Sequence, residues 1–125
     1  MTTSLHFALP SSLILNANAR THWAQKARIT KVLRARGRLE AKMSGARMER
    51  AHLVVRVGWP DKRRRDVANL ISIKPLLDGI VDAGLLPDDD DAHLIGPDLR
   101  SYVAGRKGLV VLDFEFTPAE PEEAA

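Results

Sequence analysis

Residues Ala51–Gly84, AHLVVRVGWPDKRRRDVANLISIKPLLDGIVDAG, change texture twice, and each change marks an element. The first nine alternate, with Leu53, Val55 and Val57 on one side, the period of a half-buried strand. The turn PDKRRRD follows, with four consecutive cations, Lys62, Arg63, Arg64 and Arg65, closed by Asp66. From Val67 to Ala83, Leu70, Ile73, Leu76, Leu77, Ile80 and Val81 recur at helical spacing. Pro75 lacks an amide hydrogen, so it either kinks that helix or sits in its first turn. Gly84 is a natural stop, and Pro87 prevents resumption. A strand passing through a turn into a helix is the alternation of a layered α/β domain.

The flanking segments extend that alternation. SLHFAL reads as a strand with Leu5, Phe7 and Leu9 on one side, stopped by Pro10. An Asn- and Ser-rich loop leads to a long helix predicted from about Thr21 to Met43, ended by Ser44-Gly45. Its expected apolar stripe is Ile29, Val32, Leu33, Leu39 and Met43, with Arg36 a misfit inside it. Lys31, Arg34, Arg38 and Lys42 form a basic ladder on the opposite face, spaced to follow a phosphate backbone or simply to be solvated. Residues 93–103 read as a short strand, with GPDLRSYVAGRKG a loop or hairpin connection. LVVLDFEF is a clean strand with Val110, Leu112, Phe114 and Phe116 inward. The expected fold is a single α/β domain over residues 1–117, a mixed sheet of about four strands with two main helices in the order β-α-β-α-β-β. Residues 118–125 form an acidic tail expected to be disordered.

Composition narrows the chemistry. The chain has 125 residues, enough for one core, and no cysteine, so disulfides and thiolate metal sites are excluded. No apolar run reaches the roughly 18 residues of a membrane span, and the N-terminus does not read as a signal peptide, so a cytoplasmic protein is expected. No GxxxxGK[ST] or GxGxxG occurs, so no nucleotide cofactor is expected. The net charge of +3 hides an asymmetry. Residues 1–65 carry 15 Lys/Arg against 3 Asp/Glu, and residues 66–125 carry 4 against 13. One half suits a polyanion and the other gathers carboxylates, unless the two charged faces serve only solubility or self-association.

The carboxylates have a pattern. Asp66 stands where the basic turn meets the second helix, and Lys74, Asp78 and Asp82 share one face of that helix at spacings of four. LLPDDDDAHL then places Asp88, Asp89, Asp90 and Asp91 together, where a chain turning back past the helix start would bring them near Asp66. Phosphodiester cleavage needs a water aimed at phosphorus and a stabilised leaving oxygen. Mg²⁺ supplies both while held by only a few carboxylates plus waters and phosphate, so two or three aspartates from separate segments suffice. Lys74 is the one lysine among these acids, fitted to stabilise transition-state charge. Ordinary surface ion pairing for Asp82, and a solvated loop for the tetrad, are the plainer alternatives. His93 beside the tetrad is more often structural than a ligand.

PDKRRRDVANLISIKPLLDGIVDAGLLPDDDDAHLIGPD, with LILNANARTHWAQKAR before it, resembles the RusA-type Holliday junction resolvases over most of residues 4–116. The resemblance implies a small homodimeric α/β nuclease that resolves four-way DNA junctions by paired nicks in recombination and repair. It also implies dependence on Mg²⁺, for which Mn²⁺ substitutes, and residence in a bacterial or phage-infected cytosol. Asp66 matches the aspartate closing the basic run, Lys74 the catalytic lysine, and the tetrad, with Asp89 and Asp91 favoured, the downstream metal-binding aspartate. Asp78 is a further metal candidate, and Lys62, Arg63, Arg64, Arg65, Asn69 and the first-helix ladder are candidates for DNA contact. The family's second aspartate, two positions after the first, is Ala68 here, and two extra residues stand between Asn69 and Asp78. A junction-binding protein that has lost catalysis is therefore the alternative. A general nucleic-acid module is weaker, since aromatic residues are only 5% of the chain.

Overall fold

A computed structural model describes residues 1–17 and 21–120. Residues 18–20 of the Asn-rich loop and 121–125 of the acidic tail lie outside the described residues. The elements run β1 (Thr3–Pro10), α1 (Trp23–Ser44), β2 (Ala51–Trp59), α2 (Ile73–Asp82), β3 (Leu94–Val103) and β4 (Leu109–Pro118). This is the expected β-α-β-α-β-β order, with short 3₁₀ turns at Ser11–Leu13 and Val67–Asn69.

The four strands form one mixed sheet in the order β1-β4-β2-β3. β4 runs antiparallel to both β1 and β2, whereas β3 runs parallel to β2. Parallel neighbours need a long crossover, and the segment carrying α2 provides it. Leu5, Phe7 and Leu9 of β1, Leu53, Val55 and Val57 of β2, and Val110, Leu112, Phe114 and Phe116 of β4 are all buried, as their alternation predicts. They join Ile29, Leu33, Leu76, Leu77 and Ile80 of the helices in one core. The sheet's other face is polar: His6 bonds Asp113 and Arg56 pairs with Glu115 across adjacent strands. Among the described residues, no helix is long and apolar enough to cross a membrane.

Four boundaries and faces differ from the sequence expectation. β3 bears out the strand expected over residues 93–103 but leaves the connection read into GPDLRSYVAGRKG only residues 104–108; having one neighbour, this edge strand lacks the apolar alternation that marks a covered strand. β4 continues to Pro118, and Ala119 N–H donates to the Arg50 carbonyl, which ties down the start of the acidic tail. The buried stripe of α1 is Ile29, Leu33, Gly37 and Ala41, while Val32, Leu39 and Met43 are 40%, 58% and 72% exposed. Gly and Ala carry almost no hydropathy signal, yet here they let α2 approach. A Cβ on Gly37 would lie 2.1 Å from the Leu76 carbonyl oxygen, and one on Gly79 only 1.9 Å from that of Arg34. Arg36 is accordingly no misfit, since it stands on the exposed side of α1.

The fourth difference is α2, which begins at Ile73 rather than Val67. Pro75 would clash with the carbonyl of residue 71 in a helix, so it tolerates only the first turn. Residues 69–71 instead pair with the N-terminal loop. Ala17 N–H donates to the Asn69 carbonyl at 2.8 Å and Ile71 N–H to that of Leu15 at 3.0 Å, around a bridge between Asn16 and Leu70. Gly84, at φ +90°, closes α2 as expected, its N–H and that of Leu85 returning to the Val81 and Ile80 carbonyls.

Candidate active site

The candidate residues lie along one continuous path from the end of β2 to the loop after α2. In the basic turn, Arg65 is turned inward. Its guanidinium lies 5.0 Å over the Trp59 ring and bonds the Asp61 carboxylate at 2.8 Å. That contact, with Arg63 N–H donating to the same carboxylate, lowers the Asp61 pKa. Arg65 therefore shapes the turn, while Lys62, Arg63 and Arg64 are exposed. Asp66 follows and is exposed. Its Oδ1 accepts from Ala68 N–H at 3.0 Å and caps the 3₁₀ turn.

The start of α2 is clamped from beneath by a residue that the sequence reading missed. Ser72 is fully buried; its hydroxyl accepts from Leu15 N–H at 2.7 Å and donates to the Leu13 carbonyl at 3.2 Å. Together with the Asn69 and Ile71 backbone bonds, this fixes residues 69–72 against the loop before α1. A lone serine in an apolar run gave no signal of its own.

Two residues on, the Lys74 ammonium donates to Asp78 Oδ1 at 2.7 Å and to Asp89. The loop after α2 thus folds back onto its first turn, and Asp89 is the tetrad member that meets the lysine. Bonds to Asp78 and then Asp89 raise the Lys74 pKa, and the Lys74 contact lowers that of Asp89. The other three aspartates are exposed. Asp88 Oδ1 accepts from Asp89 N–H at 2.7 Å, and Asp90 lies 3.9 Å from His93 Nε2. Asp91 is exposed, so of the two tetrad members the motif favours it is Asp89 that meets Lys74. His93 Nδ1–H donates to the Glu49 carbonyl at 2.9 Å, tying the loop to the segment between α1 and β2.

Asp82 does not join this cluster. It forms a two-bonded pair with Arg34 of α1, at 2.6 and 2.9 Å, which lowers the Asp82 pKa and raises that of Arg34. One rung of the basic ladder is thus committed to helix–helix contact, while Lys31, Arg38 and Lys42 remain exposed. The carboxylates are also less gathered than expected. Among the described residues no three His, Asp or Glu side chains converge at metal-ligand spacing, so Asp66 is not joined to Asp78 and Asp89 in a ready-made cage. The donors are all hard oxygen, with Asp66 exposed and Asp78 and Asp89 half-buried, and Mg²⁺ binds proteins through one or two carboxylates, completing its shell with water and phosphate. Asp78 and Asp89, which both accept from Lys74, are the carboxylates that the structure brings together. The sequence matches no family model and no curated protein.

Proposed function

We propose that the chain is a Mg²⁺-dependent, structure-selective DNA endonuclease that resolves four-way junctions, similar to the RusA-type resolvases. The observation that carries this reading is the Lys74–Asp89 contact, which joins the residue matching the catalytic lysine to one of the two tetrad members favoured as the downstream aspartate, across 15 positions of sequence. Asp66 and Asp89 would hold the cation, with Asp78 standing in for the carboxylate missing at Ala68. When bound, it supplies an acidified water and a countercharge for the leaving oxygen.

The protein's own groups have defined parts. With its pKa raised, Lys74 stays protonated at neutral pH, so it acts as a fixed positive charge and not as a proton acceptor. A scissile phosphate entering beside Asp89 would meet that ammonium, whose attraction strengthens as charge develops. Asp89, with its pKa lowered, remains ionised throughout. Lys62, Arg63 and Arg64, two to four positions before Asp66, hold flanking phosphates, and Lys31, Arg38 and Lys42 extend the basic surface. Such contacts carry no base code, so junction selectivity rests on shape, and opposed nicks call for a homodimer with one site per subunit.

The test is cleavage of a labelled four-way junction by Asp66→Asn, Lys74→Met and Asp89→Asn. Each is expected to cut at least about a hundredfold more slowly, the usual loss for a group acting on transition-state charge. Undiminished cutting by Asp66→Asn or Asp89→Asn would refute the site. A second reading, junction binding without cutting, is favoured by Ala68 and by the absence of a third grouped acid among the described residues. Ala68 is exposed, so Ala68→Asp fits sterically. A large gain in nicking by that variant would mark the native site as deficient.

A further inference from the structure

Trp59 ends β2 at the rim of the sheet, and two clefts open on either side of it. The larger, about 330 Å³, has apolar walls from Ile14, Leu70, Leu109 and Val110 and is closed on one side by Trp59 and Arg65. The smaller, about 200 Å³, is lined by the same pair together with Lys62 and Arg63. The indole and the guanidinium, 5.0 Å apart, therefore form a stacked partition between an apolar slot and a cationic one. The partition is held from both ends. Trp59 Nε1–H donates to the Ser101 hydroxyl at 3.3 Å, and Asp61 fixes Arg65.

We infer that the larger cleft is a subsite for an unpaired nucleobase, which enters the apolar slot against Trp59 while its flanking phosphates lie on Lys62 and Arg63. The slot's volume suits a planar ring system, and aromatic faces with neighbouring cations are the usual means of holding an extruded base. Neutral apolar ligands would gain nothing from the adjoining cations, whereas a nucleotide uses both halves. Arg65 is bonded directly to Asp66 along the chain, so an occupied slot would sit one residue from the proposed cleavage site. The inference rests on the DNA-directed reading of that site, but not on cutting.

Trp23 is 78% exposed on α1 and lies outside this cleft, so Trp23→Phe leaves Trp59 as the sole tryptophan, whose emission is excited selectively over that of Tyr102. This variant is titrated, without divalent cation and at fixed salt, with a duplex carrying a short unpaired bulge and with the same duplex whose bulge nucleotides are abasic. Both DNAs present the same phosphates. The intact bulge is expected to quench Trp59 and bind at least about fivefold tighter than the abasic one. Equal binding and equal quenching, or no binding to either DNA, would overturn the subsite. Mg²⁺-dependent junction cleavage by the same preparation is scored separately. Its absence alongside base-dependent quenching sinks the nuclease and leaves the subsite standing, and the converse result does the reverse.

Discussion

Gly79→Ala adds one methyl group where α2 crosses α1, and the structure sets what it must do. The new Cβ would lie 1.9 Å from the Arg34 carbonyl oxygen and 2.8 Å from the Arg38 amide nitrogen, whereas ordinary contact begins at 3.4 Å. Both obstacles are helix backbone, so no rotamer change relieves them and the helices must separate by about 1.5 Å. A gap of 0.5–1 Å already forfeits roughly a quarter to a half of a dispersion contact. The separation is felt by Leu76, Leu77 and Ile80 against Ile29 and Leu33, all buried. Overpacking of this kind costs about 1–3 kcal/mol, and here it belongs at the upper end. Better helix propensity returns up to about 1 kcal/mol. A net loss of about 2 kcal/mol is expected, or roughly 6–10 °C in Tm. Urea unfolding followed by far-UV circular dichroism reads it directly, with an unchanged m value showing that stability alone has moved. Unfolding at the wild-type urea concentration or above would refute the close crossing of α1 and α2. Gly45→Ala is the comparison. Nothing lies within 4 Å of that Cβ, but φ is +67°, so the expected loss is only the left-handed strain of about 1–2 kcal/mol.

Three further outcomes follow from the site. Ser72→Ala leaves the Leu15 N–H and Leu13 carbonyl without their buried partner, and should cost about 1–3 kcal/mol in the same urea assay. In Asp89→Asn, the wild type's stability advantage should be no more than about 1 kcal/mol, because the Lys74 side chain is 61% exposed and solvent screens the pair. The Asp89 pKa is lowered on folding, so its contribution is complete above the unfolded value of about 4 and disappears as pH falls through the folded value. The Lys74 pKa is raised, so its contribution is present below about 10.4 and disappears as pH climbs through the folded value. An advantage that persists in strong acid would contradict the pairing. Neutralising Lys62, Arg63 or Arg64 singly should weaken junction binding across sequences and reduce the salt slope by about one each. Arg34→Gln should change the slope less, because that guanidinium already serves Asp82.

Strand and helix order was legible because the core strands alternate cleanly and the second helix carries its stop at Gly84. The face of α1 was not, because its contact with α2 is made of Gly37, Ala41 and Gly79, residues that hydropathy passes over. The start of α2 was misplaced because its apolar spacing continues back to Leu70, whereas the backbone there is taken by the N-terminal loop. Around the site, the i, i+4 spacing announced the Lys74–Asp78 pair, and the motif favoured Asp89 and Asp91 within a tetrad that it could not resolve. Asp82 went to Arg34 instead, a partner 48 residues away that no local pattern could indicate. The same holds for the Arg65–Trp59 stack and for Ser72, whose roles exist only once distant segments meet.

The most direct measurement is to map cuts on a strand-labelled four-way junction, with a linear duplex of matching sequence as control, with and without Mg²⁺. The expected result is paired nicks at opposed positions of the junction, dependent on the cation and absent from the duplex. No nicking under Mg²⁺ or Mn²⁺, or equal cutting of the duplex, would contradict a junction-resolving nuclease.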